Sequence, residues 1–172
     1  MITSELKECR NFLTVQRIIF TGKKQIMVDL SKLSENLQEL MYERGLTQTS
    51  LAEAMHTCSS KISSYLTERR APNYDTFVGF IEFFHCSADF LLGLKENVYE
   101  NDTYKPVQPF HERLRTILRE TETSQYLFVK RTKISWGVFY HWLTGKSKPS
   151  LDNLIKVANY FDCSVDYLLG RI

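Results

Sequence analysis

Residues 46–72 read LTQTSLAEAMHTCSSKISSYLTERRAP, and the spacing of their apolar positions decides the fold. Leu51, Ala52 and Met55 form one stripe at helical spacing, and Ile62, Tyr65 and Leu66 form a second. Thr47 is placed to cap the first helix, with Gln48 in its first turn. Only His56, Thr57 and Cys58 separate the stripes, so the two short helices must cross steeply rather than lie antiparallel. Ala52 is small enough to let the second helix approach the first closely. These features predict a helix-turn-helix unit whose second helix turns Ser59, Ser60, Lys61, Ser63 and Ser64 outward.

Working outward, Leu33, Leu37, Leu40 and Met41 fall on one helical face, and Gly45 is suited to end that helix. Pro72 closes the central unit. Asn73 is an N-cap for a helix over Tyr74–Phe84, which carries Phe77, Phe80, Ile81 and Phe84. Ser87 caps a last short helix, with Asp89 in its first turn, where the helix dipole favours an anion, and Gly93 at its end. Residues 31–95 therefore read as a five-helix, all-α domain. Residues 96–109 are polar, contain Pro106 and Pro109 and lack helical periodicity, which marks a linker.

After the linker the pattern starts again. A gapless shift of 77 residues lays Leu37 on Leu114, Gln48 on Gln125, Leu66-Thr67 on Leu143-Thr144 and Pro72 on Pro149. The same shift lays Cys86-Ser87 on Cys163-Ser164 and Leu91-Leu92-Gly93 on Leu168-Leu169-Gly170. Residues 110–172 thus read as a second copy of the first domain. Residues 1–30 read as an N-terminal leader or arm, poorly ordered unless docked. Leu6, Cys9, Leu13 and Phe20 are spaced as one helical face there, Lys23 and Lys24 follow, and Met27 is a candidate start.

The sequence resembles the phage-repressor (Cro-like, XRE-type) helix-turn-helix family of DNA-binding domains. The matching residues are Leu46-Thr47-Gln48, Leu51-Ala52, Ile62-Ser63, Tyr65, Pro72 and Asp89-Phe90-Leu91-Leu92-Gly93, and in the second copy Trp142-Leu143-Thr144-Gly145-Lys146 with Pro149-Ser150. His56 and Glu68 stand where the family usually has glycine, at a cost of about 1 kcal/mol each if the backbone is left-handed. The resemblance implies two tandem, lambda-repressor-like bundles whose third helices enter the major groove. Carried over by position, it implies base-edge contacts from Ser59, Ser60 and Ser64 with Lys61 beside them. It implies phosphate contacts from Gln48, Arg69, Arg70 and Asn73.

The second reading helix is different. Phe139 and Trp142 align with the core residues Ile62 and Tyr65, which leaves Trp136, Tyr140 and His141 outward, with Gly137 weakening the helix by about 1 kcal/mol against alanine. Gln125, Lys146 and Lys148 complete the candidate DNA-binding set on this side, with Lys130, Arg131 and Lys133 nearby. Residues 110–172 hold ten Lys and Arg against six Asp and Glu, whereas residues 33–95 hold five against eight. Backbone charge is therefore expected to matter more in the second half, and base edges more in the first.

Composition excludes several classes. The hydrophobic share of 43% supports packed cores, and the net charge of +2 does not by itself indicate a polyanion partner. The four cysteines form no CxxC pair and no zinc spacing, which reads as thiols in a reducing cytosol. No apolar run reaches membrane-spanning length, so a cytoplasmic protein is expected. The histidines lack a paired nucleophile or carboxylate and there is no glycine-rich phosphate loop, so neither an enzyme, a cofactor, a metal nor a small-molecule ligand is expected.

The expected function is that of a sequence-specific transcriptional regulator, a repressor acting by occlusion of double-stranded DNA. One chain would act as an intrachain pseudo-dimer on an asymmetric site, or two chains would pair through their terminal helices. The alternative is a protein-interaction or antitoxin-like module that uses the outward aromatic face of the second domain.

Overall fold

The computed structural model describes residues 27–96 and 104–172; the sequence features at Leu6–Phe20, Lys23 and Lys24 lie outside them. Among the described residues every element is helical. In the first half these are α1 (Leu30–Glu43), α2 (Gln48–Ala54), α3 (Ser59–Leu66), α4 (Tyr74–Phe84) and α5 (Ala88–Leu91). In the second half they are α6 (Phe110–Glu120), α7 (Gln125–Thr132), α8 (Trp136–Leu143), α9 (Leu151–Phe161) and α10 (Val165–Leu168). No described helix is long and apolar enough to cross a membrane.

The helices start where the side chains can supply caps. Thr47 accepts from Ser50 N–H while Ser50 reaches back to Thr47 N–H, so a serine fills the return position of a capping box. Asn73, Ser87, Ser124, Ser135, Ser150 and Ser164 cap α4, α5, α7, α8, α9 and α10 by accepting from the N–H three residues on. Helix α1 begins three residues earlier than its apolar stripe, because Asp29 accepts from Ser31 and Lys32 N–H.

The backbone repeats at the same interval as the sequence. Helices α3, α4 and α5 coincide residue for residue with α8, α9 and α10 under the shift of 77. So do the left-handed residues, which fall into the pairs Gly45 and Glu122, His56 and Lys133, Glu68 and Gly145, His85 and Asp162, and Gly93 and Gly170. His56 and Glu68 adopt the left-handed turn despite their side chains, with φ of 49° and 59°. At the first of these, His56 N–H donates to Glu53 O and Thr57 N–H to Ala52 O, the double bond pattern that closes a helix C-terminus.

The two cores differ in girth. In the first half Leu51, Ala52, Ile62 and Tyr65 are buried between α2 and α3, and the small Ala52 permits close crossing. Their equivalents are Phe128, Val129, Phe139 and Trp142. The rings of Phe128 and Phe139 lie 5.0 Å apart and Phe128 stacks on Phe161 at 5.6 Å, so bulkier side chains hold α7 and α8 further apart. A chain of edge-on rings, Trp142 to Phe110 at 5.9 Å and Phe110 to Tyr74 at 6.0 Å, crosses from the second half into the first.

The seam between the halves is built by α5 and α10, which exchange caps. Asp89 accepts from Val165 N–H (3.0 Å) and Asp166 N–H (3.2 Å), at the start of the other half's last helix. Its equivalent, Asp166, accepts from Ala88 N–H (2.9 Å) and the Ser87 hydroxyl (2.7 Å). Sequence reading had assigned Asp89 to its own helix dipole; in the fold its carboxylate is turned across the seam, because Ser87 already caps that turn. Arg171 breaks the symmetry. Its guanidinium, 1% exposed, donates to Asp166 Oδ1 (2.5 Å), Cys86 O (2.8 Å) and Ile81 O (3.2 Å), and lies 4.2 Å from the Tyr104 ring. The position equivalent to Arg171 is Leu94.

Residues 104–109 are seated on both halves. Lys105 and Gln108 N–H donate to Arg171 O and Leu169 O, and Val107 N–H donates to Glu82. Further contacts cross the seam from Val28 N–H to Asp152 (2.8 Å) and from Lys148 to Asp75. The arrangement of the halves is therefore set by packing and by buried polar bonds, not by the reach of a tether.

Candidate nucleic-acid interface

Helix α3 is pinned by its inner face. Ile62 and Tyr65 are buried, and the opposite side leaves Ser59, Ser60 and Lys61 exposed with Ser63 and Ser64 half-buried. Two of the candidate serines have local partners. Ser64 Oγ–H donates to Lys61 O at 2.7 Å, and Ser60 Oγ–H donates to Cys58 Sγ at 3.3 Å. Those hydroxyls can present lone pairs outward, but their protons are engaged within the helix and its N-cap. The exposed Cys58 thiol is held below its ordinary value by the Ser60 hydroxyl and by the Lys61 N–H.

Around α3, Gln48 is exposed at the first position of α2, and Arg69 and Arg70 are exposed just past the helix. The Arg70 guanidinium lies 5.5 Å from the Tyr65 ring, which positions it on the bundle surface. Asn73 is exposed but its carbonyl oxygen caps α4 at Thr76 N–H (2.9 Å), leaving only its amide NH2 to donate outward.

Helix α8 has the register expected from alignment. Phe139 and Trp142 are buried, Trp136 is 50% and Tyr140 57% exposed, and His141 is exposed. Val138, at 40%, belongs to the same outward surface and was not singled out from sequence. The signal was available, since Val138 aligns with the exposed Lys61. Gln125, at the start of α7, and Lys146, just beyond α8, are exposed. Lys148 differs from expectation, because it pairs with Asp75 of the first half and sits 5.5 Å from the Tyr74 ring. Its ammonium therefore serves the seam in this arrangement. Arg115 donates to Leu143 O and ties the end of α8 to α6.

Among the described residues there is no group of three His, Cys, Asp or Glu side chains placed to hold a metal ion. What the surface offers instead is two helices of equal length and register, each with a buried inner face and an accessible outer one, flanked by lysine and arginine. Exposed helices flanked by cations are the features to weigh for contact with a polyanion.

Comparison with known proteins gives this form a family. Residues 113–172 match the Cro/C1-type HTH DNA-binding domain. Over these residues the second half is similar to that domain. Over 71 residues the chain is 31% identical to the HTH-type transcriptional regulator ImmR of Bacillus subtilis (strain 168), a match covering 41% of this chain and 56% of that protein. The chain thus spans about half the length of that relative. No solved structure matches the chain at a significant level.

Proposed function

We propose that the chain is a DNA-binding transcriptional regulator, a repressor by occlusion, that works as its own dimer. The reciprocal capping of α5 and α10 by Asp166 and Asp89 carries this reading. Each half's carboxylate bonds to the start of the other half's last helix, the reciprocity of a two-fold pair, and on that basis we read α3 and α8 as the pair of reading helices that two subunits of a homodimer would supply. The terminal helices that would join two chains are already occupied within one. Because α3 and α8 differ in every exposed side chain, the site would be asymmetric rather than palindromic.

In this reading residues 31–95 and 110–172 are two domains of one kind, with 96–109 connecting them and residues 1–30 as an arm. Ser59, Ser60, Lys61 and Ser64 meet base edges from α3, and Trp136, Tyr140 and His141 do so from α8. Gln48, Arg69, Arg70, Asn73, Gln125 and Lys146 meet phosphates, and Lys148 would join them only by leaving Asp75. The other reading, a protein-docking module, draws on the exposed Trp136 and Tyr140. It does not account for the polar, groove-ready outer face of α3.

Titration of duplex DNA at 50 and 200 mM salt tests the proposal. With about three or four phosphates neutralised by Arg69, Arg70, Lys146 and Lys61, affinity falls on the order of 10²-fold between the two conditions. Absence of any salt-dependent affinity for DNA would overturn it.

A further inference from the structure

We propose that α8 reads its half of the site through the C5 methyl groups of thymine, so that the two halves of the operator differ in chemistry as well as in sequence. The inference rests on the DNA-binding reading above and names the base chemistry of its second half.

Five of the nine exposed large apolar side chains among the described residues, Tyr126, Leu127, Trp136, Val138 and Tyr140, lie on α7 and α8, and the other four, Met27, Tyr42, Tyr167 and Ile172, lie elsewhere. The equivalent first-half residues are Thr49, Ser50, Ser59, Lys61 and Ser63, every one polar. The bundle therefore does not need apolar groups at these places. The outer face of α8 also lacks Arg, Asn, Gln, Asp and Glu, the side chains that read base edges by paired hydrogen bonds. The apolar feature that the major groove offers is the thymine methyl group.

Gly137 is the second observation. A Cβ built there meets nothing within 4 Å, so no neighbour in the protein demands a glycine in the first turn of α8. A glycine at such a place weakens a helix and lets another molecule approach its backbone closely. Charge selects DNA over a protein surface as the occupant. Lys130, Arg131, Lys133 and Lys146 are exposed on either side of the apolar face in sequence, and the Lys130 ammonium stands 5.6 Å from the Tyr126 ring. An apolar face with exposed cations close to it in the chain suits contact with a polyanion.

The test uses the full chain and a duplex it selects from random DNA, prepared unmodified and with thymine replaced by deoxyuridine in one half or the other. Loss of each buried methyl weakens binding about fourfold, in one half of the site only. In Trp136→Ser that methyl sensitivity disappears. Gly137→Ala leaves the melting temperature unchanged or higher while binding weakens about tenfold or more, a pairing that a merely structural glycine would not give. Equal affinity for thymine and deoxyuridine duplexes in both halves, with DNA binding intact, overturns the inference and assigns the aromatic face to a protein partner. Failure to bind any duplex instead removes the DNA reading beneath it.

Discussion

Arg171→Met lowers the stability of the chain by about 3–5 kcal/mol, the expected result of leaving a buried carboxylate without its cation. The side chain is fully enclosed, and its fork serves three acceptors from two parts of the first half and from Asp166. Removing it strands Asp166, which keeps only Ser87 and Ala88 as donors and faces the like charge of Asp89. For a chain of this size the loss corresponds to a drop in melting temperature on the order of 10 °C. Arg171→Lys restores little, since one ammonium cannot reproduce a planar fork. The double variant Arg171→Met with Asp166→Asn recovers part of the loss, because the uncompensated charge leaves with its partner. A melting temperature within a degree or two of the parent would show that the seam does not depend on this ion pair.

The second large effect is of pH, and it runs against ordinary acid destabilisation. Burial, together with the Asp166 carboxylate, raises the Asp89 carboxyl to about 6, opposed by the N–H groups of Val165 and Asp166 and by Lys95. In the unfolded chain the group returns to the ordinary value near 3.8. Between those two values the folded protein holds a proton that the unfolded chain has released. Stability from this group is thus fully present below 3.8 and is lost as pH rises through about 6. The whole swing is at most about 3 kcal/mol, of which about 1.4 kcal/mol separates pH 5 from pH 7.5. Urea unfolding across that range should show the midpoint rising on acidification, with Asp89→Asn removing the slope. A midpoint that falls steadily from pH 7.5 to 5 would contradict it.

Both effects belong to the seam, which is the part of the molecule least visible in the sequence. Helix boundaries at Tyr74–Phe84, the capping by Thr47, Asn73 and Ser87, and the buried positions of Phe139 and Trp142 follow from local periodicity and turn chemistry. These were legible because neighbours in sequence supply the partners. The orientation of Trp136 and Tyr140 was legible too, through register with the first half. Asp89 looked like a carboxylate serving its own helix, since nothing local reveals that its acceptor oxygens are used 76 and 77 residues away. Arg171 carried no signal at all. Its acceptors at Ile81 and Cys86 become neighbours only after α5 and α10 pack. Lys148 pairs with Asp75 across the seam, a partner that nothing local in the sequence indicates.

The seam also gives the sequence repeat a physical meaning. In the proposed function, a pair of reading helices joined inside one chain does not depend on protein concentration, and it leaves the serines of α3 and the aromatics of α8 free to differ. A homodimer of identical chains must carry any change on both sides of its site.

Composition of the protein–DNA complex measures this most directly. Native mass spectrometry of the full chain on a duplex recovered from random DNA should give one chain per duplex, and the recovered sequences should carry two unlike half-sites. Two chains bound to an inverted repeat would show that the pairing surface lies elsewhere and that one molecule is not its own dimer.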